Sequence, residues 1–294
     1  MRRSFQAAIF LSLAILFVAL ATSFGWGENA DRLITNKAVD TLPDEMLPFF
    51  QASRQFLVQH VKRPEPPTPA PTALPGATPK TAPATDVALP DTDFIQIDHY
   101  GPFPFTALPR DYNLAISKYN RRTLAQYGLL PWEIGVYSKK LTDSFRDHNW
   151  GDVRINAAVL AHFVIAAHDP FNTTINFDGK ASQQPGVNER FNTGLIDRYQ
   201  LFFFVKTNDA VFIHDPTDYA FEMVLTSHSW VEPILLADRR AHVGLSEYKE
   251  DYYDRFYAQA GAILVNQVSN AATDVGSYWM TSWINAGRPQ LPPQ

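Results

Sequence analysis

LAHFVIAAHDPFNTTINFDGKASQQPGVNERFNTGLIDRY, residues 160–199, holds two helix-spaced pairs on either side of a segment rich in Gly, Pro and Asn. His162 is followed four residues on by Ala166 and ten residues on by Asn172, and Asn188 is followed four residues on by Asn192. Residues four apart share one face of an α-helix, so facing helices can aim both pairs into the core of a bundle. Helical proteins build metal centres in this way, from imidazole nitrogens and carboxylate oxygens that neutralise the bound ions. Here the frame carries one imidazole, one methyl group and three neutral amides.

Working outward from it, the periodicity stays helical. Leu33, Ala38 and Val39 mark one helix, and Met46, Phe49, Phe50, Phe56 and Leu57 mark a second after Pro43. Further helices are expected over Tyr112–Gln126, Trp132–His148, Val153–Ala167, Val187–Val205, Tyr219–His242 and Glu247–Ile284. Pro233 should bend or interrupt the first of the last two, and the other should break near Asn270 or Gly276. Only Phe94–Ile97 and Val211–Ile213 read as short strand-like pieces. The expected fold is all-α, a multi-helix bundle with long loops, occupying residues 26–294 as one domain.

The chain opens differently. Arg2 and Arg3 precede an apolar run from Ala7 to Ala21, followed by the small residues Ser23 and Gly25. That is the build of a secretory signal over residues 1–25, since the run falls short of the roughly 20 residues a spanning helix needs. Cleavage after Gly25 makes Trp26 the new N-terminus and leaves no membrane span; an uncleaved N-terminal membrane anchor is the alternative. The expected destination is periplasmic or secreted. Without Arg2 and Arg3, 23 basic residues face 30 acidic ones, a formal charge near −7, which argues against duplex nucleic acid or an anionic membrane as an obligatory partner. With no cysteine, neither a disulfide frame nor a thiolate ligand is available. Between Arg63 and Pro90, nine prolines among Thr and Ala read as an extended, mobile loop.

The spacing and flanks together resemble the superfamily of zinc-dependent phospholipase C and single-strand-specific nucleases. The resemblance rests on Trp26-Gly27, Asp31-Arg32-Leu33-Ile34, Lys37-Ala38-Val39, Leu42-Pro43, Gly101-Pro102-Phe103-Pro104-Phe105, Gly128-Leu129-Leu130-Pro131-Trp132, Leu160-Ala161-His162-Phe163 and Asn176-Phe177-Asp178-Gly179. It covers Trp26 to about Tyr199 and points to a largely uncharacterised bacterial branch. It implies an all-α fold and a trinuclear zinc centre that the new N-terminal amine helps to complete. It also implies that His, Asp, His, His and Asp or Glu stand where this chain has His162, Ala166, Asn172, Asn188 and Asn192. Asp31 falls at a family His position, Asp93 at another, and Glu65 near a family Asp. Of the implied ligands, Trp26, Asp31, Glu65, Asp93 and His162 are the residual candidates, so no metal cofactor is expected, with zinc as the alternative.

Other polar residues carry plainer readings. His168 stands at a helix end, where an imidazolium favours the dipole. His214-Asp215 is half a dyad with no serine elbow, and Asn172-Thr173-Thr174 matches a glycosylation acceptor. The three frame asparagines, if turned inward, would form a wet polar pocket in place of metal. The expected function is therefore an exported, catalytically inactive homologue of zinc phosphoesterases, with an unidentified small ligand or protein partner. The alternatives are a phosphodiester hydrolase with a reduced metal site, and a periplasmic partner-binding or structural protein that uses the Pro-rich loop for recognition.

Overall fold

The computed structural model describes residues 26–62 and 93–293. The expected signal segment, the Pro-rich stretch and Glu65 lie outside the described residues. The described residues form an all-α bundle without strands, built from α1 (Glu28–Ala38), α2 (Leu47–His60), α3 (Tyr112–Tyr127), α4 (Leu130–Arg146), α5 (Trp150–Ala167), α6 (Val187–Glu189), α7 (Leu195–Tyr199), α8 (Pro216–His228), α9 (Val231–Ala241) and α10 (Glu250–Asn285).

Local chemistry accounts for several starts. The side chain of Asp111 accepts from the Leu114 amide, that of Asn149 from Asp152, and that of Asp215 from both Thr217 and Asp218. Pro131 and Pro216 stand in first turns, where the missing N–H leaves no helical bond unmade. α5 is apolar almost all round from Val153 to Ala167, and such a helix belongs in the interior. It packs against α4, α2 and α10 and carries His162 into the centre of the molecule. Trp279 of α10 fixes it from one side by donating its indole N–H to the Ala157 carbonyl at 2.9 Å.

Several expectations meet a different outcome. α10 runs unbroken for 36 residues, past both Asn270 and Gly276. Gly276 serves close approach instead, because a Cβ there would lie 1.8 Å from Thr41 Oγ1 and 3.1 Å from the Ala38 carbonyl oxygen. Gly276→Ala is expected to cost roughly 1–3 kcal/mol in urea denaturation, part of it recovered in a Thr41→Ala background. Tyr219–His242 is interrupted, as expected, but at Ser229–Trp230, which leaves Pro233 in the first turn of α9.

Val187–Val205, expected as one helix, is a short α-turn, a π-helical turn over Arg190–Gly194, α7 and a 3-10 turn, after which the chain runs extended from Phe203. Neither Phe94–Ile97 nor Val211–Ile213 joins a sheet. The Ile95 amide donates to the Asn172 carbonyl at 2.8 Å and that of Gln96 to Tyr127 at 2.7 Å. The later segment lies along α10, whose hydroxyls at Ser269, Thr273, Ser277 and Thr281 accept from the amides of Lys206, Asn208, Val211 and Ile213. Hydroxyls four residues apart on one helix face thus replace a neighbouring strand as hydrogen-bond partners.

Candidate functional site

The site is built around His162, the one ionisable side chain in the inner half of α5. Its Nδ1 faces Asp31 Oδ2 at 3.8 Å and its Nε2 faces Asp93 Oδ2 at 3.5 Å. Asp31 lies in the first turn of α1, where a carboxylate suits the helix N-terminus. Asp93 arrives by another route: the Ile95 amide is tied to the Asn172 carbonyl, which holds the entering chain against the turn after α5. Both contacts are ion-pair separations, and both ring nitrogens are buried without a direct hydrogen bond.

Burial alone would pull the imidazole toward its neutral form. The two carboxylates outweigh it and raise the His162 pKa to about 9, so the ring is an imidazolium at neutral pH. Asp31 shifts upward because it is buried, with His162 opposing that shift.

A second group lies around Asp169, which the sequence reading passed over. Fully buried, its carboxylate accepts from the Phe171 amide at 2.9 Å and from Asn192 Nδ2 at 2.8 Å. Burial raises its pKa to about 7 against those two donors, with the charges of Asp31 and Asp93 adding to the rise. Asn192 Nδ2 also donates to Asn188 Oδ1 at 2.5 Å, while Asn172 donates its amide to the Ala166 carbonyl at 3.1 Å. The only signal for Asp169 was Asp-Pro at a helix end, which reads as a turn: its side chain caps the 3-10 turn Pro170–Thr173.

Trp26 closes the site from the N-terminal side, buried and donating its indole N–H to the Ile165 carbonyl at 3.0 Å. A Cβ on the neighbouring Gly27 would lie 3.0 Å from Thr193 Oγ1, so this end of α1 packs directly on the π turn that carries Asn192. The turn is fixed from its other side by Arg190, whose guanidinium bonds Asp238 of α9 at 2.9 and 3.0 Å and lies 3.9 Å over the Tyr248 ring. Asp238 further accepts from Tyr252 and, at 2.6 Å, from Gln184. Of the frame positions, Asp31 and Asp93 face His162, and Asn188 and Asn192 lie with Asp169, while the side chain of Asn172 is bonded to the Ala166 carbonyl and that of Trp26 to the Ile165 carbonyl.

The donor set does not fit a trinuclear zinc centre. Ala166 offers no ligand, and the amides of Asn188 and Asn192 are engaged with each other and with Asp169. The carboxylates of Asp31 and Asp93 face opposite ends of one imidazole instead of converging on a point. Among the described residues, no group of three or more His, Cys, Asp and Glu side chains is arranged to hold a metal ion.

The remaining candidates are structural. His168 ends α5, but its ring does not cap that helix: Nε2 lies 2.9 Å from Asp274 Oδ2 on α10, whose other oxygen accepts from Tyr219. Asp215 caps α8, and His214 is exposed beside Phe212. Asn172 is 1% exposed, so the glycosylation motif is closed to an enzyme once the chain has folded.

No family model matches the sequence, and no curated protein matches it. The fold is similar to that of the alpha-toxin of Clostridium perfringens from avian strain SWCP, with a TM-score of 0.51 and 12% identity over 88% of this chain. Alpha toxin from Clostridium absonum gives 0.48 and 11% identity over 90% of this chain. The chain spans 65% of the length of either toxin. At these identities the likeness is one of fold. Among the described residues, no helix is long and apolar enough to cross a membrane.

Proposed function

We propose that this chain is an exported, catalytically inactive relative of the zinc-dependent phosphoesterases, in which a proton-neutralised polar centre stands where the active enzymes hold metal. One observation carries the reading: His162 lies between the carboxylates of Asp31 and Asp93, one at each ring nitrogen. An imidazolium there supplies the positive charge that two buried carboxylates require, and the raised pKa of Asp169 lets that group be neutral or negative near pH 7. The fold likeness to the alpha-toxin agrees with the all-α fold that this reading requires, and Ala166 and the internally bonded asparagines support the reading itself.

In the active enzymes, metal-bound hydroxide attacks phosphorus while neighbouring ions stabilise the phosphate oxygens. The residues of this chain bind, orient and neutralise one another at the corresponding place. What remains is a scaffold with a buried polar centre.

A second reading has one observation in its favour. Nitrogen-to-oxygen separations of 3.5 and 3.8 Å are also near the spacing of two ligands on one tetrahedral ion, about 3.3 Å for bonds of about 2 Å. A reduced site holding a single ion at Asp93 and His162, or at Asp31 and His162, would make the chain a phosphodiester hydrolase. Metal analysis of protein produced in zinc-supplemented medium, paired with phosphodiesterase and phospholipase assays, separates the two. The proton-neutralised centre gives well under one zinc per chain and no chelator-sensitive hydrolysis. Stoichiometric zinc with hydrolysis abolished by chelation would overturn it in favour of the second reading.

A further inference from the structure

From Phe203 to Asp209 the chain runs extended along α10, and among the described residues no strand lies beside it. The amides of Lys206 and Asn208 donate to the hydroxyls of Ser269 and Thr273, so every second amide faces the helix. Those of Val205, Thr207 and Asp209 alternate to the other edge, and among the described residues they have no hydrogen-bond partner. An amide left unpaired in a folded chain is one that water reaches, and a row of them is a template for another strand. The side chains alternate in step: Phe203, Val205 and Thr207 are half-buried, while Phe204, Lys206 and Asn208 are exposed. Tyr199 and Phe203 both stack on Tyr257, so the start of the edge is fixed before any partner arrives.

The pattern along the edge selects the partner. Leu201, Phe202 and Phe204 are 91%, 77% and 80% exposed at one end, and Val211 and Phe212 are 58% and 39% exposed at the other. Between them stand Lys206, Thr207, Asn208 and Asp209. The order apolar, polar, apolar is the same in both directions, as an antiparallel pairing of identical strands about a two-fold axis requires. The unpaired amides at 205, 207 and 209 fix the register, since only residues whose amides face the partner form hydrogen-bonded pairs. Thr207 then lies opposite Thr207 of the second copy, and Val205 opposite its Asp209. The same register sets Phe202 opposite Phe212, and Lys206 opposite Asn208 and next to Asp209. A pairing centred on Lys206 would set two ammonium groups face to face. One centred on Asn208 would need the Val211 amide, which is already bonded to Ser277.

We propose that residues 203–209 pair antiparallel with the same residues of a second copy of this chain, about a two-fold axis at Thr207. At about 200 Å² for each aromatic side chain, Phe202, Phe204 and Phe212 expose roughly 400 Å² per copy, or about 800 Å² in two. Leu201, Val211 and the paired backbone bring the contact past the roughly 1,000 Å² that a specific interface needs. The pairing does not depend on the chemistry at His162.

The absence of cysteine lets introduced thiols report the register directly. The full chain carrying Lys206→Cys is mixed with the full chain carrying Asn208→Cys and oxidised. Positions 206 and 208 of opposite copies form a non-hydrogen-bonded pair about 4.5 Å apart between Cα atoms, within disulfide reach, whereas like positions are about 8 Å apart. The mixed disulfide should therefore exceed either homodisulfide several-fold. Sedimentation velocity of the parent chain should show a dimer that dissociates on dilution. Thr207→Pro, which removes the central donor, and Phe202→Ser with Phe204→Ser, which leaves the backbone unchanged, should each weaken association about tenfold or more with the helical circular dichroism preserved. A parent chain that is monomeric at every concentration would overturn the proposal. So would a dimer that the serine pair leaves intact, which would mean that the copies meet elsewhere, or homodisulfides as abundant as the mixed one.

Discussion

Replacing His162 with alanine is expected to lower the unfolding free energy at pH 7 by about 3–5 kcal/mol, the usual cost of stranding buried charge. The loss has little to do with the volume of an imidazole. Asp31 and Asp93 are 18% and 12% exposed at the side chain and face the ring from opposite sides, so the alanine variant leaves two carboxylates with no cation between them. Neutralising both, as Asp31→Asn with Asp93→Asn in the His162→Ala background, should recover most of the loss. The same two substitutions with His162 intact should destabilise, and a denaturation cycle over the variants measures the coupling directly. Additive effects would mean that the ring and the carboxylates are not a charge unit.

The sign of the pH dependence follows from the same groups. His162 rises from an ordinary 6.5 to about 9 in the fold, so its stabilisation is complete below about 6.5 and is lost as pH climbs through 9. Asp169 is an acid with its pKa raised from 3.8 to about 7, so the folded state keeps a proton that the unfolded chain releases. Its contribution therefore also falls with rising pH, between about 4 and 7. Asp169→Asn should flatten the stability profile in that lower window and leave the alkaline limb to His162. Thermal melts of the two proteins at several pH values test this; a variant profile parallel to the parent from pH 4 to 7 would contradict it.

Asp238→Asn is the second large expected effect, about 3 kcal/mol or more, because Arg190 keeps its charge when its partner is neutralised. Arg190 and Asp238 side chains are 8% and 2% exposed, so water cannot take over the lost interaction. The consequence should reach the candidate site, since Arg190 opens the π turn that presents Asn192 to Asp169. Arg190→Met combined with Asp238→Leu should recover much of the stability by replacing the pair with apolar groups of similar size. Equilibrium urea unfolding reads both variants, and recovery in the pair alone identifies the charge, not the packing, as the source of the loss.

These expectations rest on features of unequal legibility. α2, α4 and α5 were readable from apolar content and periodicity, though Pro131 in a first turn and Asn149 as a cap set α4 and α5 to start two or three residues earlier than expected. The unbroken α10 was not, because Asn270 and Gly276 weaken a helix by local propensity while contact with Thr41 and the end of α1 requires a glycine there. Phe203–Val205 were misread as helix for a related reason: the stretch they lead into finds its hydrogen-bond partners in hydroxyls more than sixty residues away. Contact between Asn188 and Asn192 follows from their spacing and needs no tertiary knowledge. Asp169 shows the opposite case. Its neighbours in sequence suggest only a turn, and its place beside Asn192 depends on how the π turn docks against the end of α5.

The most direct measurement is nitrogen-15 NMR of the His162 ring across a pH titration. A cation held between two carboxylates keeps protons on both Nδ1 and Nε2 at pH 7, gives the shifts of an imidazolium, and titrates near 9. A ring that is a neutral tautomer at pH 7, titrates below 7, or changes on adding zinc and reverts with chelator would contradict a proton-neutralised centre.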